Sequence, residues 1–260
     1  MRKNFLFSAL TVMLFAACHS TTSSQAADKS GFAIHSHNDY EQDEPFWGAY
    51  NAGAASIEAD IYLSDGQLML GHDRASDKSL VEYYLDPIKD LFYKNGKKIR
   101  ANGEMLQLLV DLKDTEQTLK VLEELIAKDY LECFDIKNNP SAVMIVITGD
   151  RVAPENFDKY QDFIYFDGHP EVEYTAEQLA RIPMMSQYIR KYTAWKGNGK
   201  MNNQDEERLK EIISSVHQSG KKVRFWAFPD NPNAWRKSLE LGIDYINTNH
   251  PADVAEYFKK

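Results

Sequence analysis

Short runs rich in Ile, Val, Phe and Tyr alternate along the chain with longer stretches whose apolar residues recur at helical spacing. The short runs, at 32–35, 56–62, 107–112, 142–148, 163–167, 184–188, 222–228 and 245–248, predict eight strands. The clearest helices are expected at 115–128, where Leu119, Leu122, Leu125 and Ile126 make one apolar stripe, and at 205–218, closed by Gly220. Strand and helix follow one another from 31 to 260 without a linker, low-complexity block or repeat, the order of a parallel sheet with crossover helices. The expected class is α/β, a single-domain (β/α)8 TIM barrel, which this length suits. Ser64-Asp65-Gly66-Gln67 is a tight-turn signal between two apolar runs, so 68–70 is expected to double back as a hairpin and bring His72 to the end of the second strand.

In such a barrel the chemistry sits at the C-terminal ends of the strands. The polar residues there are His35, His37, Asn38, Glu58, Asp60, His72, Asp111 and Lys113, followed by Asp150, Asp167, His169, Ser186, Trp226 and Asn249. Glu58 and Asp60 are two apart in a strand and share a face, while Ile57, Ala59 and Ile61 face the other way. If the apolar set packs under the helices, both carboxylates enter the barrel, where like charges are costly unless a cation or donors offset them. Asp111 ends the next strand. Three converging acids suit one hard divalent cation, Mg2+ or Ca2+, and carboxylates alone do not separate the two.

A family resemblance enters on these residues. IEADIYLSDGQLMLGHD, from Ile57 to Asp73, resembles the signature of glycerophosphodiester phosphodiesterases, with a Glu-x-Asp pair, an Asp-Gly turn and a His-Asp dipeptide in that order. AIHSHNDY, starting at Ala33, stands where that family has His-Arg-Gly, the stretch from Pro45 to Ala52 resembles its first helix, and GIDYINTNHP, from Gly242, is similar to its last strand. Ser36 and His37 depart from the hydrolase pattern, as does Asp111-Leu112-Lys113 in place of Glu-x-Lys. In those places the chain is more similar to the sphingomyelinase D and phosphatidylinositol-specific phospholipase C relatives, and His35-x-x-Asn38, Asp111-x-Lys113 and Trp226 are similar to residues of the sphingomyelinase D site.

The resemblance implies a metal-dependent phosphodiesterase acting on glycerophosphodiester or phospholipid-type esters, with a route through a cyclic phosphate open to it. Phosphodiester cleavage needs a proton taken from the attacking hydroxyl, a proton given to the leaving oxygen, and compensation of phosphoryl charge. On this reading His35 and His72 form the acid/base pair, Glu58, Asp60 and Asp111 hold the metal, and Lys113 meets the phosphate. Asn38, Trp226 and Asn249 contact the substrate. Two other readings are a zinc-dependent, amidohydrolase-like enzyme using His35-x-His37, and a lipoprotein that binds a phosphorylated ligand without turning it over. The first needs histidines on later strands, and beyond the pair and His19 only His72, His169, His217 and His250 are available.

The first 30 residues add an address. Arg2 and Lys3 precede an apolar run from Phe5 to Ala17, too short to span a bilayer, and Phe15-Ala16-Ala17-Cys18 resembles the lipobox of bacterial lipoproteins. Residues 1–17 are therefore expected to be a signal peptide, Cys18 a lipidated anchor, and 18–30, rich in Ser, Thr and Ala, a flexible tether, which together imply an exported lipoprotein of the bacterial cell envelope. Cys133 would then be the one remaining thiol, so no internal disulfide forms. A formal net charge of -9, more negative once Arg2 and Lys3 are removed, disfavours nucleic acid as a partner. Composition points to no protein partner.

Overall fold

The computed structural model describes residues 32–114 and 116–259. The leader, the lipobox-like stretch and Cys18 lie outside the described residues.

Alternation of side chains builds the barrel wall, and strand β2, Ser56–Ser64, displays the rule. Ile57, Ala59 and Ile61 are completely buried beneath the helices, while Glu58 and Asp60 point into the lumen. On one side β2 pairs in parallel with β1, Ala33–Ser36, and on the other with β4, Leu106–Leu112, whose Asp111 stands beside Asp60. The succession continues through β5, Val143–Gly149, to β6, Ile164–Phe166. From β1 it runs the other way through β9, Tyr245–Thr248, and β8, Lys222–Trp226, to β7, Met184–Tyr188. Eight parallel strands thus form a nearly closed barrel. Its seam between β6 and β7 is joined through Gly168, whose N–H donates to the Met184 carbonyl (2.9 Å) and whose carbonyl accepts from the Ser186 N–H (2.9 Å).

The hairpin forms as expected. Strand β3, Gln67–Leu70, pairs antiparallel with β2 and stays off the barrel ring, with Asp65 (φ 50°) and Gly66 (φ 77°) as its turn. Expected element edges shift where a local conformation intervenes. β8 stops at Trp226, short of Phe228, because Ala227 turns into the left-handed region (φ 55°). The helix expected at 205–218 begins earlier, as Asn203–Gln218, since the Asn202 side chain caps it by accepting from the Gln204 N–H (2.9 Å).

Candidate active site

The lumen is polar, and its lower level is a fixed relay. Gln107 Nε2 donates to Ser56 Oγ (2.9 Å), so the Ser56 hydroxyl proton goes to His35 Nδ1 (2.8 Å). That leaves the His35 Nε2–H to donate to Glu58 Oε2 (2.7 Å). Arg224, reaching across from β8, donates from Nη1 to the same Glu58 oxygen (2.8 Å) and lies against His35 Nε2. Burial, reinforced by the Arg224 charge, pushes His35 down to about 3. Burial alone would raise Glu58, but Arg224 and the His35 hydrogen bond outweigh it and hold Glu58 well below the usual carboxylate range. An unpaired buried charge costs several kcal/mol, and pairing Glu58 with Arg224 offsets that cost.

One level up, Asp60 is buried, and its Oδ2 is the busiest atom of the site. It accepts from Tyr40 OH (2.9 Å), lies 2.9 Å from His72 Nδ1, and pairs with Lys113 Nζ (2.8 Å). Lys113 also reaches Asp111 Oδ2 (3.2 Å). Burial opposes the charge of Lys113, but the hydrogen bond to Asp60 and the charges of both aspartates prevail and raise it above the usual lysine range. Asp111 is pushed up to about 6 by burial and then by the charges of Asp60 and Glu58.

Glu58, Asp60 and Asp111 each offer an oxygen within 4.8 Å of the others. Asp60 Oδ1 and Asp111 Oδ1 are buried without a hydrogen-bond partner. Each such oxygen costs about 1–3 kcal/mol if it stays unsatisfied, a cost that a cation would relieve, and an all-oxygen set suits a hard one. The expected three-carboxylate ligand set therefore fits a divalent ion.

The structure redistributes the histidines. His35, expected in the acid/base pair, has no exposed surface and both ring nitrogens engaged, and it supports Glu58 from below. His37, two residues on and in the turn that follows β1, is partly exposed at the mouth. Its Nδ1 is 2.8 Å from Asn249 Oδ1. An amide oxygen accepts, so Nδ1 carries a proton and Nε2 is outside the contact; the Asp60 carboxylate likewise accepts from the Nδ1–H of half-exposed His72. Asn249 thus orients a histidine, where sequence placed it on the substrate.

Asn38 neither bonds His35 nor caps the short turn after it; it sits in the left-handed region (φ 48°), with Oδ1 buried and unpartnered. Trp226 is exposed at the rim and stacked on Tyr188, its register partner on β7 (centroids 4.3 Å apart, 22° between planes). Asp167 belongs to the seam. It accepts from Thr148 Oγ1 (3.0 Å), Arg151 Nη2 (2.8 Å) and Ser186 Oγ, tying β5, β6 and β7 where the ladder is thinnest. His169 pairs with Gln187 Nε2 (2.9 Å) in the following loop. The zinc pair does not form, because His35 is bound to Glu58 and His37 to Asn249.

Tyr40 and Arg224 went unassigned from sequence. Tyr40 ends the quoted AIHSHNDY stretch, and Arg224 is a charge in the middle of a strand, between Val223 and Phe225, two residues before Trp226 and so on its face.

The family model described as the AIM6-like phosphodiesterase domain matches residues 23–167, more than half of the chain. The chain belongs to that family. A second model, the glycerophosphoryl diester phosphodiesterase family, matches 222–252, which includes Arg224, Trp226 and Asn249. Among curated relatives of this AIM6-like chain, the altered inheritance of mitochondria protein 6 homolog of Arthroderma benhamiae is 25% identical over 86% of this chain and 83% of its own length. The Kluyveromyces lactis protein of the same name is 24% identical over 86% and 71%. Among solved structures, the glycerophosphodiester phosphodiesterase of Agrobacterium tumefaciens superimposes with a TM-score of 0.52 at 14% identity, covering 86% of this chain and 99% of that one. That of Parabacteroides distasonis gives 0.51 at 15%, covering 89% and 98%. Identity at that level speaks for the shared barrel alone. The expected location in a bacterial cell envelope is corrected by the sequence relatives, which are fungal proteins.

Proposed function

We propose that this AIM6-like domain is a metal-dependent phosphodiesterase that cleaves glycerophosphodiester or phospholipid-type esters with His37 and His72 as its proton-transfer pair. The observation that carries the reading is that both histidines are held through Nδ1, by Asn249 and by Asp60, with Nε2 left over, beside a cluster of three carboxylates in which Asp60 and Asp111 keep unsatisfied oxygens.

Glu58, Asp60 and Asp111 would hold the ion, which when bound supplies positive charge that offsets the phosphoryl oxygens. One histidine draws the proton from the attacking hydroxyl and the other delivers a proton to the leaving alkoxide. Lys113, fixed between Asp60 and Asp111, presents its charge to the phosphate. Tyr188 and Trp226 offer an aromatic wall to the organic part of the ester. Attack by a hydroxyl of the substrate itself would release a cyclic phosphate, and attack by water an acyclic one.

The test is hydrolysis of bis(4-nitrophenyl) phosphate and of glycerophosphodiesters, before and after chelation and after adding back Mg2+ or Ca2+, with phosphorus NMR of the products. Turnover that chelator leaves untouched would refute metal dependence. Binding of these esters without turnover under any ion would instead favour a ligand-binding protein.

A further inference from the structure

Each of the three acids has one oxygen committed to the protein and one left over. Glu58 Oε2 accepts from both His35 Nε2 (2.7 Å) and Arg224 Nη1 (2.8 Å), and no hydrogen bond among the described residues engages its Oε1. Asp60 Oδ2 carries Tyr40, His72 and Lys113, while Oδ1 is buried and bare. Asp111 Oδ2 carries Lys113, while Oδ1 is again buried and bare. The bare Asp111 Oδ1 lies beside Gly149, where an added Cβ would come within 2.0 Å of it. The pattern is the same three times over, from donors on five different segments of the chain.

A carboxylate with one oxygen saturated by donors meets a cation with the other oxygen only. Ca2+ takes about six to eight oxygen ligands at flexible distances and often binds carboxylates through both oxygens. Mg2+ demands near-octahedral geometry at about 2.0–2.1 Å, from one oxygen per acid, and keeps several waters or substrate oxygens. From this we infer that Arg224 and His35 are positioning residues that restrict Glu58 to a single ligand oxygen and thereby select Mg2+ over Ca2+. The inference rests on the reading of Glu58, Asp60 and Asp111 as cation ligands, and it settles a choice that the acids alone leave open. It also accounts for a buried arginine in a site that must attract a cation, since its charge lowers the affinity for any divalent ion while its donor shapes the one that fits.

The experiment is a calorimetric titration of the full chain, freed of metal, with Mg2+ and separately with Ca2+, for the wild type and for Arg224→Met, Arg224→Lys and His35→Ala. Removing the arginine charge acts on two divalent ions alike, so the ratio of their affinities isolates the freed oxygen. The wild type is expected to bind Mg2+ at least as tightly as Ca2+. Arg224→Met should shift the ratio toward Ca2+ by about ten- to hundredfold, the range seen when outer partners of a metal ligand are removed, and Arg224→Lys should retain the wild-type order. His35→Ala loosens the same oxygen from the other side and gives the same readout if Arg224→Met fails to fold. A wild type that prefers Ca2+, or a ratio unmoved in the folded variants, overturns the inference while leaving metal dependence in place. No binding of either ion by the wild type would refute the metal reading itself.

Discussion

His37 and Asn249 lie 212 positions apart in the chain, yet His37 Nδ1 stands 2.8 Å from the Asn249 amide oxygen. The contact joins the first strand's exit to the last, and it fixes which nitrogen of the ring faces the site. His37→Ala should therefore lower kcat/KM for phosphodiesters by about a hundred- to ten-thousandfold, the usual worth of a general acid or base. Asn249→Ala should cost less and displace one limb of the pH profile, because the ring remains but loses its tautomer. His35→Ala should act chiefly on metal affinity and on the thermal midpoint. Equal losses of turnover in His35→Ala and His37→Ala at saturating metal would return His35 to the proton chemistry.

Glu58→Ala and Asp60→Ala remove ligands, and each is expected to weaken divalent-ion binding by more than about a hundredfold, beyond the ten- to hundredfold typical of outer partners. Asp60→Ala should also free His72 and leave Lys113 to Asp111 alone, since both meet Asp60 at Oδ2. Calorimetric titration checks this, and unchanged affinity in both variants would make the acids structural.

Burial, then the charges of Asp60 and Glu58, push Asp111 up to about 6 in the folded chain, against an ordinary 3.8. The folded state thus holds this proton more tightly than the unfolded one, so without metal stability falls as pH rises from 3.8 to about 6, and the full penalty persists above. Asp111→Asn should raise the metal-free melting temperature at pH 7.5, by the equivalent of about 1–3 kcal/mol, and leave it nearly unchanged well below the ordinary value. Because a cation must displace that proton at low pH, affinity should fall by up to about tenfold per unit below the folded value. Calorimetry across pH reads both effects, and a flat affinity profile would contradict the assignment of Asp111.

Gly149 adopts φ 80° directly against Asp111, and an added Cβ would also meet the Leu112 carbonyl at 2.4 Å. Backbone has no room to yield there. Gly149→Ala should cost about 1–3 kcal/mol through conformation alone, more with the clash, and should weaken metal binding by moving Asp111. A variant with wild-type melting and wild-type metal affinity would show that the close approach is dispensable.

The barrel was legible in the chain because period-two and helical patterns depend on which side of an element meets the core, and that is written locally. Glu58 and Asp60 share the lumen face for the same reason: in any strand, residues two apart point the same way. The turn at Asp65-Gly66 was legible too, since glycine and aspartate tolerate the left-handed backbone that a two-residue hairpin requires. The division of labour between His35 and His37 was not. His35 lies within β1 and His37 in the turn just past its end, so one ring is sealed beneath Glu58 and the other is open to the mouth. That depth is set by how far β1 extends beside β2 and β9, and by Arg224 arriving from β8, 189 positions away from His35. Sequence by itself determined the fold and the acids that enter the lumen, because these follow from alternation along single strands. Only the tertiary structure decided which histidine is buried and which oxygens stay free, because partners on distant strands compete for the same few lone pairs.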